Sequence, residues 1–196
     1  MARARAHDEK LRARLLERAG ELVTSGGPET LSLRRLARDC ETSTTAVYAL
    51  FGGKDGLLTA LFDDAFRRLG DRLESVVPGS DALDDVVRTG VAYRDSALDD
   101  PHLFTLMFSR PAALTEEAAA RTVAGTALGP LRAAIGRAVD ERVLRSDTDP
   151  ATASLALWTT VHGWVTLQLR GFLPPGADGR FEAAVRAVLR GWQPAA

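Results

Sequence analysis

Cysteine is nearly absent from this chain of 196 residues: Cys40 is its single thiol, so no intrachain disulfide framework can form. The natural setting of such a chain is a reducing cytoplasm. No secretory signal is expected either, because the opening MARARAHDEKLRAR is rich in charge and has no apolar stretch. The three histidines lie far apart without the spacing of metal ligands, so we expect no metal site.

Signatures of catalysis are also missing, since no nucleophile–base pair, metal set or cofactor loop stands out. Gly53-Lys54 is not part of a phosphate loop, because Tyr48 stands where the first glycine would be needed and Asp55 replaces Ser or Thr. Pairs of adjacent aspartates recur, but neighbours on a helix point in different directions and cannot form a carboxylate dyad. We therefore expect no enzyme and no cofactor.

Alternating strand patterns and internal repeats are lacking too, and the abundance of Ala, Leu and Arg favours helices. Pro or Gly stands at nearly every junction between apolar-periodic segments. The sequence therefore predicts an all-α protein of about nine helices. Outside the motif considered next, the predicted helices are His7–Ser25, a long helix from Lys54 to the stop at Val77, Ala82–Leu98, Pro101–Phe108, Thr115–Thr126, Pro130–Val143, Pro150–Leu169 and Asp178–Trp192.

One stretch, LSLRRLARDCETSTTAVYALFGGKDGL, reads as two short helices around a tight turn, followed by a Gly-Gly break and a third helix. Ser32 is a good N-cap for the first helix and Ser43 for the second, with the turn at Glu41-Thr42. Small polar residues at the start of the second helix, with Tyr48 one turn later, suit a recognition helix that enters the major groove of DNA.

The distribution of charge agrees with a DNA-reading surface. Residues 1–54 hold ten Lys and Arg against seven Asp and Glu, a formal charge of +3, whereas the remainder carries −4. Arg3 and Arg5 precede the first predicted helix in an arm expected to be disordered, which either enters a minor groove or stays a solvated tail. The predicted DNA contacts are Ser32, Arg34, Thr42, Ser43, Thr44, Thr45, Tyr48 and Lys54.

This motif resembles the N-terminal domain of the TetR family of transcriptional regulators, whose helix-turn-helix ends in a tyrosine, a phenylalanine and a lysine that starts the next helix. Tyr48, Phe51 and Lys54 stand at those places in AVYALFGGKDGLL. Two positions depart from the family pattern. Glu41 replaces the usual glycine of the turn, so a strained residue has to adopt positive φ there. Leu50 replaces a frequent histidine, which removes one potential backbone contact.

The segment Pro150–Leu169, PATASLALWTTVHGWVTLQL, contains no formally charged residue. Its threonines, His162 and Gln168 make it too polar for a membrane span. A helix that is uncharged all round must be covered all round. We therefore expect one face on the core of its own domain and the other on a second copy, with the last helix completing a four-helix isologous interface. The predicted interface residues are Leu157, Val161, Val165, Val185 and Leu189.

Within the same segment, Trp158, His162 and Gly163 resemble the C-terminal domain of a TetR subgroup named for its Trp, His and Gly. This resemblance implies a domain that senses a ligand and dimerises. Trp158 and His162 are four residues apart and share a helix face. With aromatic and Met side chains of earlier helices they either line an effector pocket or belong to ordinary core packing. The candidate pocket residues are Tyr93, Phe104, Met107, Phe108, Trp158 and His162.

The sequence thus predicts a helix-turn-helix DNA-binding domain at residues 1–54 and a helical effector-binding and dimerisation domain at residues 55–196. A homodimer of this kind reads a palindromic operator in double-stranded DNA, with half-sites about one helical turn apart. The expected function is a transcriptional repressor that a small, apolar effector releases from DNA. The alternative is a DNA-binding regulator or activator without a small-molecule ligand.

Overall fold

The computed structural model of the chain describes residues 2–109 and 114–194, with side chains from Asp8 onward except that of Ala124. The described residues contain helices and no strand, which confirms the all-α prediction. Ten α-helices lie in these ranges: α1 Ala2–Gly26, α2 Leu33–Asp39, α3 Thr44–Phe51, α4 Lys54–Glu74, α5 Ala82–Asp99, α6 Pro101–Phe108, α7 Glu116–Thr126, α8 Leu128–Asp140, α9 Pro150–Leu169 and α10 Phe181–Arg190. Short 3₁₀ turns occupy Pro28–Thr30 and Asp178–Arg180.

Several helix ends differ from the prediction; α8, for example, ends at Asp140 rather than at Val143. Helix α1 begins at Ala2 rather than at His7, so Arg3 and Arg5 belong to a helix and not to a disordered arm; their side chains lie outside the described part. Helix α8 begins before Pro130, which is tolerated because the first turn of a helix needs no backbone N–H donors. The last helix is shorter than predicted, because its first three residues form a 3₁₀ turn.

The chain divides into two compact units that do not follow the predicted boundary at residue 54. The first unit combines Met1–Phe66 with Asp100–Ala120, and the second combines Arg67–Asp99 with Arg121–Ala196. The physical reason for the difference is burial: Leu57 and Leu61 of α4 and Leu106 of α6 lie in the same hydrophobic core as α1, α2 and α3.

In the first unit, α1 packs against α2, α3 and α6. Leu15 and Val47 are fully buried in this core. An ion pair joins α1 to the end of α2, since the Arg18 guanidinium donates to Asp39 Oδ2 at 2.7 and 3.0 Å. These hydrogen bonds from Arg18 hold the pKa of the Asp39 carboxyl below its usual value. The ion pair adds to the burial of apolar side chains, which packs α2 and α3 against α1.

In the second unit, α5, α8, α9 and α10 pack around a core of aliphatic side chains. A buried carboxylate, Asp85, forms ion pairs with Arg88 and Arg137 and accepts a hydrogen bond from the Gly79 N–H at 2.9 Å. Since a buried carboxylate needs several partners to offset its lost hydration, this cluster anchors the loop between α4 and α5 to α8.

Candidate DNA-binding surface and effector site

The helix-turn-helix forms through local backbone chemistry. The Ser32 hydroxyl accepts a hydrogen bond from the Arg35 N–H at 3.4 Å, and the Ser43 hydroxyl accepts one from the Ala46 N–H at 3.1 Å. Both predicted N-caps are therefore confirmed. Between the two helices Glu41 has φ 51°, which confirms that the turn places a non-glycine residue in the left-handed region. The two serines thus have a structural role whatever they contact on DNA.

The predicted DNA contacts share one property, which is exposure at the edges of α2, α3 and α4. Tyr48 is 56 % exposed. Arg34, Thr45 and Lys54 are exposed as well, whereas Val47 of the same helix α3 is completely buried. Thr42 and Thr44 are partly exposed and Ser32 and Ser43 are exposed. The side chains expected to read DNA therefore face outward in the first unit.

The charged side chains around α2, α3 and the start of α4 differ in whether they form ion pairs. Among the described residues, no ion pair joins Arg34 or Lys54 to a carboxylate, so both cations can meet an external anion. Asp39, by contrast, is paired with Arg18 and lies 3.7 Å from the side-chain nitrogens of both Arg35 and Arg38. Asp39 is the one acidic residue of α2, and these cations compensate its charge. The compensation reduces the repulsion between α2 and a polyanion such as DNA.

Glycines at the junction of α3 and α4 allow the close backbone approach that positions Tyr48 and Lys54. Gly52 ends α3 in the left-handed conformation, and its N–H donates to the Tyr48 carbonyl at 2.8 Å. A Cβ on Gly53 would lie 3.4 Å from the Tyr48 ring. Gly56 passes so close to the Phe51 carbonyl that a Cβ there would overlap its oxygen. Gly56 was missed from the sequence, and its signal is a glycine within the first turns of an otherwise regular helix.

In the second unit, three of the candidate pocket residues come together. The Tyr93 hydroxyl lies 2.9 Å from His162 Nδ1, and the Trp158 and His162 rings are 5.4 Å apart. Burial raises the pKa of the Tyr93 phenol and lowers the pKa of the His162 imidazole. Burial thus favours the uncharged form of both groups, and the tautomer of the imidazole sets which of the two donates the hydrogen bond.

Tyr93 and Trp158 line a small cavity of about 20 Å³, whose other walls are mostly aliphatic. A space of this size holds about one water molecule. A drug-sized effector does not fit in the cavity as it stands.

The other three candidate pocket residues lie elsewhere. Phe104, Met107 and Phe108 belong to α6 and to the first unit. There the Phe108 ring packs 4.9 Å from Phe104 and 5.7 Å from Phe66, centroid to centroid. None of the three lines the cavity beside Tyr93. Aromatic and Met residues at helical spacing serve core packing at this position, which spacing alone could not separate from pocket lining.

The predicted interface residues require a correction, because the structure places them in the core of the protomer. Leu157, Val161, Val165, Val185 and Leu189 are at most 4 % exposed within the single chain. They are the inner faces of α9 and α10, not surfaces left for a second copy.

The outward face of α9 has a different composition. Leu155 is 50 % exposed and Leu167 45 % exposed. Thr159 is exposed between them, and the space above Gly163 is open to 4 Å. No helix in the described part of the chain is long and apolar enough to cross a membrane. The outward face of α9 thus carries no formal charge and exposes two leucines.

Comparisons with known proteins agree with the helix-turn-helix and the helical body. Residues 15–61 match the bacterial regulatory proteins of the tetR family, and residues 86–188 match the tetracyclin repressor-like C-terminal domain. Membership of the subgroup named for Trp, His and Gly stays a prediction.

Solved structures of similar proteins align with most of this chain, whereas the sequences of curated relatives align with about half of it. A solved structure of a protein of unknown function from a Rhodococcus species is 28 % identical, has a TM-score of 0.81, and covers 94 % of this chain and 96 % of its own. The TetR family transcriptional regulator PfmR from Thermus thermophilus is 27 % identical with a TM-score of 0.66, and covers 92 % of this chain and 100 % of its own.

Among curated relatives, the HTH-type transcriptional regulator Rv1816 of Mycobacterium tuberculosis is 30 % identical over 106 residues, which are 53 % of this chain and 45 % of the relative. The chain thus spans about half the length of the curated relatives it matches. The two family matches, one at each end, and the helical fold lead to one conclusion: the chain belongs to the TetR family of DNA-binding transcriptional regulators.

Proposed function

We propose that this chain is a homodimeric, ligand-responsive repressor that binds a palindromic operator and leaves it when a small, mainly apolar effector binds. The observation that carries the DNA-binding part is the exposure of Arg34 and Lys54 beside Tyr48, at the ends of the short helices, with no carboxylate paired to either cation among the described residues. Arg34, Tyr48 and Lys54 would contact phosphates, while Thr44 and Thr45 at the start of α3 would face base edges. A protein acting on chromosomal DNA in this way would work in the cytoplasm.

Dimerisation is supported by the outward face of α9. A solvated helix face usually carries charges, yet α9 has none, and it exposes two leucines together with the open surface at Gly163. The proposed partner is the same face of a second copy, since a two-fold dimer presents its recognition helices to the two halves of a palindrome.

Communication between effector and DNA would run through α4. Lys54 begins this helix and Leu73 stands near its end, where it lines the cavity beside Tyr93. We propose that a ligand that shifts the end of α4 also shifts Lys54 and so changes the fit of the dimer to its operator. Couplings of about 1–3 kcal/mol are typical of such switches.

The test of the DNA-binding surface is the salt dependence of affinity. Lys54→Ala should weaken binding to every DNA sequence and reduce the slope of log K against log salt by roughly 0.9 for each protomer. Arg132→Ala, which removes an exposed cation of α8, is the control and should leave the slope unchanged. An unchanged slope for Lys54→Ala would contradict a phosphate contact.

Base reading is tested separately by selecting bound DNA from a random pool. Thr44→Ala and Thr45→Ala should alter the selected sequence, because short side chains at the start of a recognition helix contact base edges. If both variants select the same operator as the unaltered protein, these threonines do not specify the sequence.

A second candidate function is a DNA-binding regulator without a small-molecule ligand, and the small size of the Tyr93 cavity favours it. The two candidates differ in a thermal-shift screen of hydrophobic small molecules followed by a DNA-release assay. The ligand-responsive protein should be stabilised by some compounds that also lower operator affinity. Stabilising compounds that never affect DNA binding, or none at all, would favour the ligand-free regulator.

A further inference from the structure

The ring of Phe51, the last residue of α3, is in contact with a cation from another helix. The guanidinium carbon of Arg12, which belongs to α1, lies 5.4 Å from the centroid of the Phe51 ring. A guanidinium within about 6 Å of an aromatic centroid is attracted by the negative face of the ring. This contact therefore joins α1 to the end of the helix that is expected to read DNA.

Carboxylates on α1 itself would be the ordinary partners of Arg12. Asp8 and Glu9 precede it by four and three residues, which is the spacing of ion pairs on a helix. In the part of the chain whose side chains are described, no ion pair joins Arg12 to either of them. The guanidinium is instead placed on the aromatic ring of α3.

The charge of Arg12 also acts on α4. Desolvation raises the pKa of the Asp63 carboxyl, and the positive charge of Arg12 opposes this rise. Asp63 belongs to α4, the helix that begins at Lys54. One exposed side chain of α1 thus interacts with both α3 and α4.

Helix α3 has few contacts that fix its direction. It is eight residues long, and Val47 is its one buried residue, all side chains of this helix being described. A single buried side chain fixes where a short helix lies better than it fixes the helix axis. Phe51, four residues later, packs partly buried against the same core. The Phe51 ring with Arg12 over it supplies a second fixed point.

Electrostatics at this end of α3 favour the same arrangement. The carboxyl end of a helix carries partial negative charge and is stabilised by nearby cations. The last turn of α3 contains no basic residue of its own. Arg12 brings a positive charge from α1 to the residue at which α3 ends.

We propose that Arg12 is a positioning residue for DNA recognition, which acts from α1 by holding Phe51 and thereby the direction of α3. Thr44 and Thr45 lie at the opposite end of α3, about 10 Å away at 1.5 Å per residue, so a tilt at Phe51 moves them relative to the bases. This inference rests on the proposed reading of base edges by these threonines. It assigns no phosphate contact to Arg12.

Two substitutions and two duplexes test the positioning role. Arg12→Met keeps an apolar side chain but removes the charge, and it should lower affinity for the operator from the random-pool selection by roughly two- to fivefold, the factor that corresponds to an exposed cation–π contact. Affinity for an unrelated duplex of equal length should change less than twofold. Arg12→Lys should bind the operator more tightly than Arg12→Met, because an ammonium can also lie over the ring.

The dependence of affinity on salt separates positioning from direct contact. Arg12→Met should leave the slope of log K against log salt unchanged, as should the control Arg132→Met, which removes an exposed cation of α8. A slope that falls by roughly 0.9 for each protomer would make Arg12 a phosphate contact instead. An equal loss of affinity on both duplexes would also overturn the positioning role.

A double-mutant cycle tests whether Arg12 acts through Phe51. In the background of Phe51→Leu, which removes the ring, Arg12→Met should cause no further loss of operator affinity. A full two- to fivefold further loss would show that Arg12 acts independently of the ring. Circular dichroism reports folding, and Phe51→Met is the second variant if Phe51→Leu does not fold.

The unaltered protein separates failure of this inference from failure of the proposed function. If it selects no DNA from the random pool, the proposed function is wrong. If it binds its operator and Arg12→Met binds that operator equally tightly, the proposed function stands and Arg12 does not position α3.

Discussion

Replacing Gly56 with alanine should disrupt the junction that positions the recognition helix. A Cβ at this position would overlap the carbonyl oxygen of Phe51 and lie 3.0 Å from its carbonyl carbon. Carbon–oxygen contacts need about 3.3 Å or more, so the backbone at the end of α3 has to move by on the order of 1 Å. It has little freedom to do so, because Val47 of α3 and Leu57 of α4 are fully buried on either side of the junction.

The magnitude follows from the kind of atom that is in the way. Overpacking against movable side chains costs about 1–3 kcal/mol, and a clash with backbone belongs at the upper end, about 3 kcal/mol for Gly56→Ala. Tyr48 and Lys54 would then no longer reach DNA in one geometry, so we expect operator affinity to fall roughly 100-fold. Urea unfolding followed by circular dichroism measures the first effect, and fluorescence anisotropy with labelled operator measures the second.

A helical glycine without neighbours supplies the control. Gly136 lies in α8, and a Cβ there would meet nothing within 4 Å. Gly136→Ala should therefore stabilise the protein by about 0.5–1 kcal/mol and leave DNA binding unchanged. If Gly56→Ala unfolds at the same urea concentration as the unaltered protein and keeps its operator affinity, the close approach of α4 to Phe51 is refuted.

Three further changes test the turn, the buried histidine and the proposed interface. Glu41→Gly should relieve the strain of φ 51° and raise the free energy of unfolding by about 0.5–1 kcal/mol; lower stability in urea would contradict this. Burial lowers the pKa of His162, so as pH falls from 7 to 5 the unfolded chain takes up a proton before the folded protein does and stability falls. His162→Gln should lose less stability over that range in urea unfolding, and equal losses would exclude His162 as the cause. Leu155→Glu together with Leu167→Glu should convert a dimer into monomers in sedimentation analysis, since both side chains are about half exposed on the outward face of α9; an unchanged dimer would place the interface elsewhere.

The helix-turn-helix could be predicted from sequence because its determinants are local. Ser32 and Ser43 cap helices through residues three positions away, and Gly52 ends α3 through its own backbone conformation. The start of α9 is equally local: Asp149 accepts hydrogen bonds from the Ala151 and Thr152 N–H groups. Interactions that span so few residues can be predicted from the local sequence.

The first helix shows where such local signals are too weak. No capping residue marks its beginning, and the basic residues at the start favour a disordered arm, whereas the helix extends to Ala2. Alanine and arginine alternate there, and both have high helix propensity. Charge is a property of side chains and does not by itself prevent a helix.

By itself the sequence determined that this protein is helical, that its first part carries a helix-turn-helix with Tyr48 and Lys54 outward, and that α9 is uncharged. Only the tertiary structure decided which apolar residues face inward. Leu157 and Leu155 have the same side chain two positions apart, yet one is 1 % exposed and the other 50 %. The reason is that a helix with apolar residues on every side has no preferred inner face until its neighbours pack against it. The same packing brought α5, α8 and α9, which are far apart in sequence, together around the cavity beside Tyr93.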